Sequence, residues 1–147
     1  IIDGFNVLVV VASYLQGLPV FISNDGMLRD AAKNRKDHSS GPKLPAAVDL
    51  LADYLSESEF LNPIVYIDQQ VPSHGWISGA LKKAGVNGVH VSSHTDRELA
   101  GQLKGVLCTS DTEIIEHSTL PVFDLASAVL VQNFNPDFIN LQKLIPE

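Results

Sequence analysis

Cysteine and basic residues are both scarce in this 147-residue sequence, and each shortage argues against certain structures or partners of the protein. The single cysteine, Cys108, excludes an intrachain disulfide and favours a reducing compartment, so we expect a cytoplasmic protein. Lys and Arg number 10 against 17 Asp and Glu, and the resulting net charge of -7 argues against a broad basic surface for duplex nucleic acid. Acids clustered at a metal site also count as negative until cations bind to them.

Several other patterns are missing from the sequence. No apolar run reaches the roughly 18 residues of a membrane span, and no basic segment precedes the apolar residues 7–12, so we expect neither a membrane helix nor a signal peptide. No P-loop, GxGxxG or GxSxG motif occurs, which leaves ATPase, dinucleotide-binding and serine hydrolase functions without support. The five histidines are scattered along the sequence, and we assign none of them as a metal ligand.

The residues that are present predict a folded chain. Hydrophobic residues make up 45% of the sequence, and the length suits one domain over residues 1–147, with residues 132–147 as a C-terminal tail that carries a short helix. Cys108 lies within an apolar run, so we expect a buried small side chain rather than a nucleophile. The sequence starts at Ile1 without a methionine and within a predicted strand, so we expect an upstream segment.

Apolar runs of strand length alternate with segments of helical spacing along the chain. This alternation predicts a three-layer α/β/α sandwich with a mainly parallel sheet of about five strands. Gly, Pro, Asn and Asp mark most of the boundaries between the segments. The predicted strands are 1–3, 63–68, 86–91, 106–109 and 121–123, with a short extended piece at 19–22, and the predicted helices are 6–16, 26–36, 44–55, 73–84, 96–103, 111–117, 124–131 and 137–143.

Three aspartates each follow an apolar predicted strand: Asp3, Asp68 and Asp111. Ligands of open α/β sheets bind outside the carboxyl ends of the strands, so these acids converge if their strands are neighbours. Clustered carboxylates need cations to stay ionised, and hard oxygen ligands suit Mg²⁺ or Mn²⁺. We therefore take the three acids as candidate metal ligands and catalytic residues, with Asp25 as a fourth candidate catalytic acid. Such ions promote phosphodiester hydrolysis.

Helix capping is the competing interpretation of every aspartate that follows a strand, because a carboxylate there accepts free backbone N–H groups. We assign Asp96 and Asp124 mainly to capping, and Asp111 can both cap its helix and bind metal. Asn6 either caps its helix or orients Asp3 or a metal-bound water. Arg29 either contacts a substrate phosphate or pairs with Asp25 four residues earlier. Residues in supporting positions are Asp30, Ser110, Glu113 and Asp124.

Several blocks of sequence carry a family resemblance: IIDGFNVL, NDGMLRDAA, VYIDQQV, CTSDTEIIE and the later FDLA. Together they resemble a family of uncharacterised prokaryotic proteins with a PIN-like domain, which is similar to PIN and NYN nucleases. The resemblance covers residues 1 to about 131. It implies the α/β/α fold and an acidic cluster that binds Mg²⁺ or Mn²⁺ and cuts RNA.

The resemblance also implies roles for particular residues. Asp3 matches the acid of the first strand, Asp68 the acid that closes the second, and Asp111 the acid after the fourth. Either Asp25 or Asp30 matches the family's helix acid. Many PIN nucleases place another acid close after the third conserved one, where this chain has Thr-Glu. Implied partners are RNA as substrate and a helical region that precedes the domain. Apart from the resemblance, we also consider a second copy of the chain in a homodimer.

The leading hypothesis is therefore a PIN-like ribonuclease that depends on Mg²⁺ or Mn²⁺. A second hypothesis is a catalytically inactive PIN-like module that binds RNA or a protein partner. A third is a different α/β hydrolase, such as a phosphatase-like enzyme, which would need a nucleophilic aspartate with a supporting lysine. No lysine adjoins the three strand-end acids in the sequence.

Overall fold

The computed structural model describes residues 1–31 and 41–144. Strands and helices alternate over most of this length, in the order that the sequence predicts. In chain order the elements are β1 (Ile2–Asp3), α1 (Gly4–Leu15), β2 (Val20–Ile22), β3 (Leu28–Asp30), α2 (Leu44–Glu57), β4 (Val65–Asp68), α3 (His74–Lys83), β5 (Val89–Ser92), α4 (Thr95–Ala100), α5 (Thr112–His117), α6 (Leu125–Asn133), β6 (Ile139–Asn140) and a 3-10 helix (Leu141–Leu144).

The first sheet is parallel and confirms the α/β class. Its strands lie in the order β1-β4-β5, with Ile2 opposite Val65 and Asp68 opposite Ser92. Beyond β1, two single parallel bridges continue the sheet, one from Ile2 to Cys108 and one from Leu107 to Val122. The predicted strand 106–109 thus takes part in both bridges and the predicted strand 121–123 in one, and neither is a full strand.

The second sheet is mixed and contains the clearest error of the sequence-based prediction. The strands β3, β2 and β6 lie side by side, with β3 antiparallel to β2 and β6 parallel to it. Residues 28–30 were expected within a helix over 26–36, and that prediction is wrong for them. The turn before β3 uses Gly26 at a φ of +86°, and the Ser23 N–H bonds the Met27 carbonyl at 3.0 Å. Pairing with β2 therefore outweighs the helical spacing of the apolar residues in this segment. The rest of the predicted helix, residues 32–36, lies outside the described residues.

The C-terminal segment also differs from its prediction. A helix was expected near 137–143, but residues 139–140 form β6 and only Leu141–Leu144 form a helix, of the 3-10 type. Because β6 pairs with β2, this part of the tail belongs to the second sheet.

Buried side chains fall into two hydrophobic clusters. Val65 and Ile67 belong to the larger cluster, together with most of α1, whereas Tyr66 belongs to a smaller cluster with Leu99 and Ile114. Successive strand residues point to opposite faces, so β4 contributes to both clusters. The smaller cluster lies on the face covered by α4 and α5. In the described residues, no helix has both the length and the apolar character needed to cross a bilayer.

The first residue of α1, Gly4, lies so close to the sheet that there is no room for a side chain. A Cβ atom on Gly4 would lie 2.6 Å from both the Ile67 Cδ1 and the Val65 Cγ1 atoms. The run Val7–Val11, whose β-branched residues also suit a strand, is helical and buried. A helix that is apolar all round is typical of a core position, and α1 holds that position here.

Candidate functional site

Asp3 and Asp68 lie at the carboxyl ends of adjacent parallel strands, as the sequence predicts. Asp3 is opposite Tyr66, and Asp68 comes two residues later on β4. At about 3.3 Å per residue, the two positions are offset by about 6 to 7 Å along the strands. Residues opposite each other or two apart share a face, so both carboxylates project from the face of Tyr66, where α4 and α5 pack.

Thr109 joins Asp3 to the segment that carries Asp111. Its hydroxyl donates a hydrogen bond to the Asp3 Oδ2 atom at 2.8 Å and accepts one from the Asp111 N–H at 3.1 Å. The Thr109 side chain is almost fully buried, so water does not compete for this hydroxyl. Two of the three predicted acids are therefore held through one buried group. Sequence reasoning did not assign Thr109 a role, because the contact joins residues 106 positions apart.

Asp111 caps helix α5, and the capping interpretation is confirmed. Its Oδ1 atom accepts the N–H groups of Glu113 at 2.9 Å and Ile114 at 3.3 Å. Asp68 makes a similar local contact, since its Oδ1 atom accepts the Gln70 N–H at 2.8 Å. Among the described residues, neither Asp68 nor Asp111 has a hydrogen-bond partner at its second carboxylate oxygen. Those oxygens are available to a ligand.

Asn6 holds Ser110 rather than the start of its own helix. Its Oδ1 atom accepts the Ser110 N–H at 2.9 Å and the Ser110 hydroxyl at 3.1 Å, and its side chain is buried. The N-cap position of α1 belongs to Asp3, so the capping interpretation of Asn6 is wrong. Ser110 lies directly between Thr109 and Asp111, which fits the supporting position predicted for it.

Arg29 pairs with Asp25, as one of its two interpretations predicted, but across a β-turn instead of along a helix. The two Nη atoms lie 2.7 and 2.8 Å from the two Asp25 carboxylate oxygens. The Arg29 Nε and Nη2 atoms also donate to the Ser110 carbonyl at 2.9 and 2.7 Å, and Nη1 contacts the Ser23 hydroxyl. The side chain that was predicted to bind substrate thus joins the β2–β3 turn to the segment before α5.

The Asp25 carboxylate also accepts the Ser23 hydroxyl at 2.7 Å and the Met27 N–H at 3.1 Å. The Arg29 guanidinium, more than any other neighbour, holds the pKa of Asp25 well below its usual range. Asp25 is consequently a structural partner of Arg29 in this arrangement. Its proposed catalytic role stays a prediction.

Asp124 confirms its capping interpretation and has a second contact that sequence did not predict. Its Oδ1 atom accepts the Ser127 N–H at 3.1 Å, and its Oδ2 atom accepts the Leu28 N–H at 2.8 Å. Burial raises the pKa of this carboxyl, although both backbone donors oppose the shift. Asp30, the other candidate for the helix acid, lies on β3, and its buried Oδ2 atom has no partner among the described residues.

Two cavities border α4, and Asp68 lines one of them. One of about 280 Å³ is lined by Asp68, His94, Asp96 and Arg97, among others. The other, of about 420 Å³, is lined by Asp96 and Arg97 again, and by the exposed Glu113 of α5. Helix α4 begins at Thr95, so Asp96 lies in its first turn and not at the predicted cap position.

The acidic residues do not form a closed metal cage. Across residues 1–31 and 41–144, no group of three or more His, Cys, Asp or Glu side chains is arranged to hold a metal ion. Mg²⁺ usually keeps several waters and takes only one or two carboxylates from the protein. The carboxylates of Asp3, Asp68 and Asp111 are oxygen donors of the type that Mg²⁺ takes, but they are not arranged as a three-ligand group.

The comparison with curated proteins found no match, and neither did the comparison with solved structures. One family model matches, and it covers residues 1–128, which include every strand-end acid described above. The chain belongs to the family described as Domain of unknown function (DUF5616).

Proposed function

We propose that this chain is a PIN-like ribonuclease that hydrolyses phosphodiester bonds with Mg²⁺ or Mn²⁺ held by Asp3, Asp68 and Asp111. The observation that carries the proposal is the buried Thr109 hydroxyl, which joins the Asp3 carboxylate to the Asp111 main chain beside the strand that ends in Asp68. This contact fixes two acids at one edge of the sheet, where ligands of α/β proteins bind.

The topology supports the PIN-like part of the proposal. The bridges of Ile2 with Cys108 and of Leu107 with Val122 fit a five-strand parallel sheet in the order β5, β4, β1, 106–109, 121–123. Two hydrophobic clusters, one on each face of β4, fit a three-layer arrangement. Both features agree with the fold that the sequence resemblance implies.

The side chains contribute in different ways to the proposed reaction. A bound divalent ion supplies Lewis acidity and lowers the pKa of a coordinated water. Asp68 and Asp111 each keep one carboxylate oxygen fixed by a local N–H and present the other. Arg97 lines both cavities beside this edge and carries the positive charge that a phosphate of a short RNA strand needs. The carboxylates in the same cavities oppose RNA binding until cations neutralise them.

A second function is favoured by specific contacts. The Asp25 carboxylate is engaged by Arg29, and Asp111 uses one oxygen as a helix cap. With no three-ligand group among the described residues, a catalytically inactive PIN-like module that binds RNA or a protein partner is the alternative.

Calorimetric titration with Mn²⁺ tests the proposal without knowledge of the natural substrate. We expect saturable binding by the unmodified protein and its loss in Asp68→Asn. The matched control is Asp53→Asn, which removes one exposed acid from α2 and should bind Mn²⁺ normally. The titration is repeated with a short oligoribonucleotide present, because substrate phosphate completes many Mg²⁺ sites.

Incubation of the same proteins with a fluorescently labelled oligoribonucleotide and Mn²⁺ separates the two functions. Cleavage that Asp68→Asn loses and Asp53→Asn keeps supports the nuclease. Mn²⁺ binding without cleavage of any tested RNA favours the inactive module. Absence of Mn²⁺ binding, both with and without RNA, would rule out the metal-dependent nuclease.

A further inference from the structure

The guanidinium of Arg29 has no N–H group left for a substrate. An arginine side chain carries five N–H donors. Here Nε donates to the Ser110 carbonyl, Nη1 donates to the Ser23 hydroxyl and to Asp25, and Nη2 donates to Asp25 and to the Ser110 carbonyl. A phosphate oxygen would have to displace one of these partners. The arrangement favours a role in which Arg29 holds protein groups.

The groups that Arg29 holds belong to a segment whose polar atoms are bound from several distant parts of the chain. In Thr109–Asp111, the threonine hydroxyl meets Asp3, and the N–H and hydroxyl of Ser110 meet Asn6. The Ser110 carbonyl is the remaining polar atom of that residue, and Arg29 provides two donors for it. Ser110 is thereby held by α1 on one side and by the β2–β3 hairpin on the other.

We propose that Arg29 is a positioning residue that sets the Thr109–Asp111 segment, and that Asp25 anchors Arg29 instead of binding metal. The proposal rests on the proposed function, because it takes Asp111 as a metal ligand. Bidentate pairing fixes the plane of a guanidinium, and the Arg29 side chain is only 20% exposed. Asp25 also offsets a positive charge that would otherwise repel a cation at the adjacent sheet edge.

The direction in which Mn²⁺ affinity changes when Arg29 is replaced distinguishes a positioning role from a purely electrostatic one. Removal of a positive charge near a cation site should strengthen cation binding if charge alone matters. Positioning predicts the reverse, so we expect Arg29→Gln to weaken Mn²⁺ binding about tenfold. Arg29→Lys keeps the charge but cannot bridge Asp25 and the Ser110 carbonyl in the same way, and we expect an intermediate loss. Asp25→Asn should weaken Mn²⁺ binding as well.

The matched control is Lys82→Gln, which removes an exposed positive charge from α3, away from the proposed site. We expect its Mn²⁺ affinity, measured without RNA, to be unchanged or slightly raised. Thermal unfolding of each variant identifies any protein that is not folded at the titration temperature. A substrate-contacting Arg29 would instead lower RNA affinity while Mn²⁺ affinity without RNA stayed the same.

Hydrogen exchange at the Ser110 amide provides a second measurement that needs no metal. We expect this amide, which donates to Asn6, to exchange slowly in the unmodified protein and at least tenfold faster in Arg29→Gln. Unchanged exchange in Arg29→Gln, or Mn²⁺ binding as tight as in the unmodified protein, overturns the positioning role. If the unmodified protein binds no Mn²⁺ either with or without RNA, the proposed function fails by itself, and the exchange rate still decides whether Arg29 sets this segment.

Discussion

The Asp124 carboxylate accepts the main-chain N–H of Leu28 at 2.8 Å, across 96 positions of sequence. Its other oxygen accepts the Ser127 N–H in the first turn of α6. One side chain thereby caps a helix and accepts the hydrogen bond of the first N–H group of β3. The contact connects the second sheet to the helix that follows the segment with Val122.

Replacement of Asp124 by alanine should destabilise the fold. Loss of an N-cap costs about 1 kcal/mol, and an unpaired backbone N–H in a partly buried position adds about 1–3 kcal/mol. We expect the free energy of unfolding in urea to fall by about 2–4 kcal/mol on these terms. Asp49→Ala, at an exposed position of α2, is the control and should change it little. Equal effects of the two substitutions would contradict a structural role for Asp124.

Acid should destabilise the protein partly through Asp25. The pKa of Asp25 is lowered in the folded chain, so the unfolded chain binds more protons as the pH falls through the ordinary aspartate value of about 3.9. Stability from the Asp25–Arg29 pair is therefore present above that pH and lost below it. We expect thermal unfolding of Asp25→Asn to depend less on pH below about 4 than that of the unmodified protein. Asp53→Asn should unfold with the same pH dependence as the unmodified protein. If Asp25→Asn also kept that pH dependence, Asp25 would be excluded as a source of the loss of stability in acid.

Replacement of Gly4 by any larger residue should lower the stability of the fold. A Cβ atom at this position would lie 2.6 Å from two side-chain atoms of β4 and 3.0 Å from the Tyr66 carbonyl oxygen. We expect Gly4→Ala to lower the free energy of unfolding by about 1–3 kcal/mol, as over-packed cores do. Gly79→Ala on α3 is the opposite case, since nothing lies within 4 Å of its Cβ position, and it should stabilise by about 0.5–1 kcal/mol. Urea unfolding of both variants measures the difference, and a neutral Gly4→Ala would contradict the close contact.

The Cys108 thiol should be unreactive in the folded protein. Burial, above other influences, raises its pKa to about 11, and the side chain is 2% exposed. Since the thiolate is the reactive form, we expect little reaction with a disulfide reagent at mildly alkaline pH. Full reaction should follow once urea unfolds the chain. Rapid modification of the folded protein would show that the segment around Cys108 opens locally.

Mn²⁺ binding should depend on the hydroxyl group of Thr109 more than on the shape of its side chain. Thr109→Val keeps the shape but leaves the Asp3 Oδ2 atom and the Asp111 N–H without this partner. We expect about tenfold weaker Mn²⁺ binding, which corresponds to about 1.4 kcal/mol. Thr109→Ser retains the hydroxyl and should bind Mn²⁺ nearly as the unmodified protein does. Normal binding by Thr109→Val would separate Thr109 from the proposed site.

The sequence by itself determined the order of most helices and strands and the local roles of several acids. Alternating apolar runs and turn residues are short-range features, and they predict elements such as β4, α2 and α6. Capping is equally local, because a carboxylate at the start of a helix reaches N–H groups two or three residues later. The caps at Asp111 and Asp124 were therefore predictable from sequence. The burial of Cys108 followed from the apolar residues around it.

Tertiary structure decided the contacts that give the candidate site its form. The four-residue spacing of Asp25 and Arg29 suits a helix, but the same pair also forms across a β-turn, and pairing with β2 selects the turn. Arg29 then reaches Ser110 over 81 positions, and Thr109 reaches Asp3 over 106. Such contacts exist only after distant segments pack together, because no local pattern encodes which remote oxygen will satisfy a given donor.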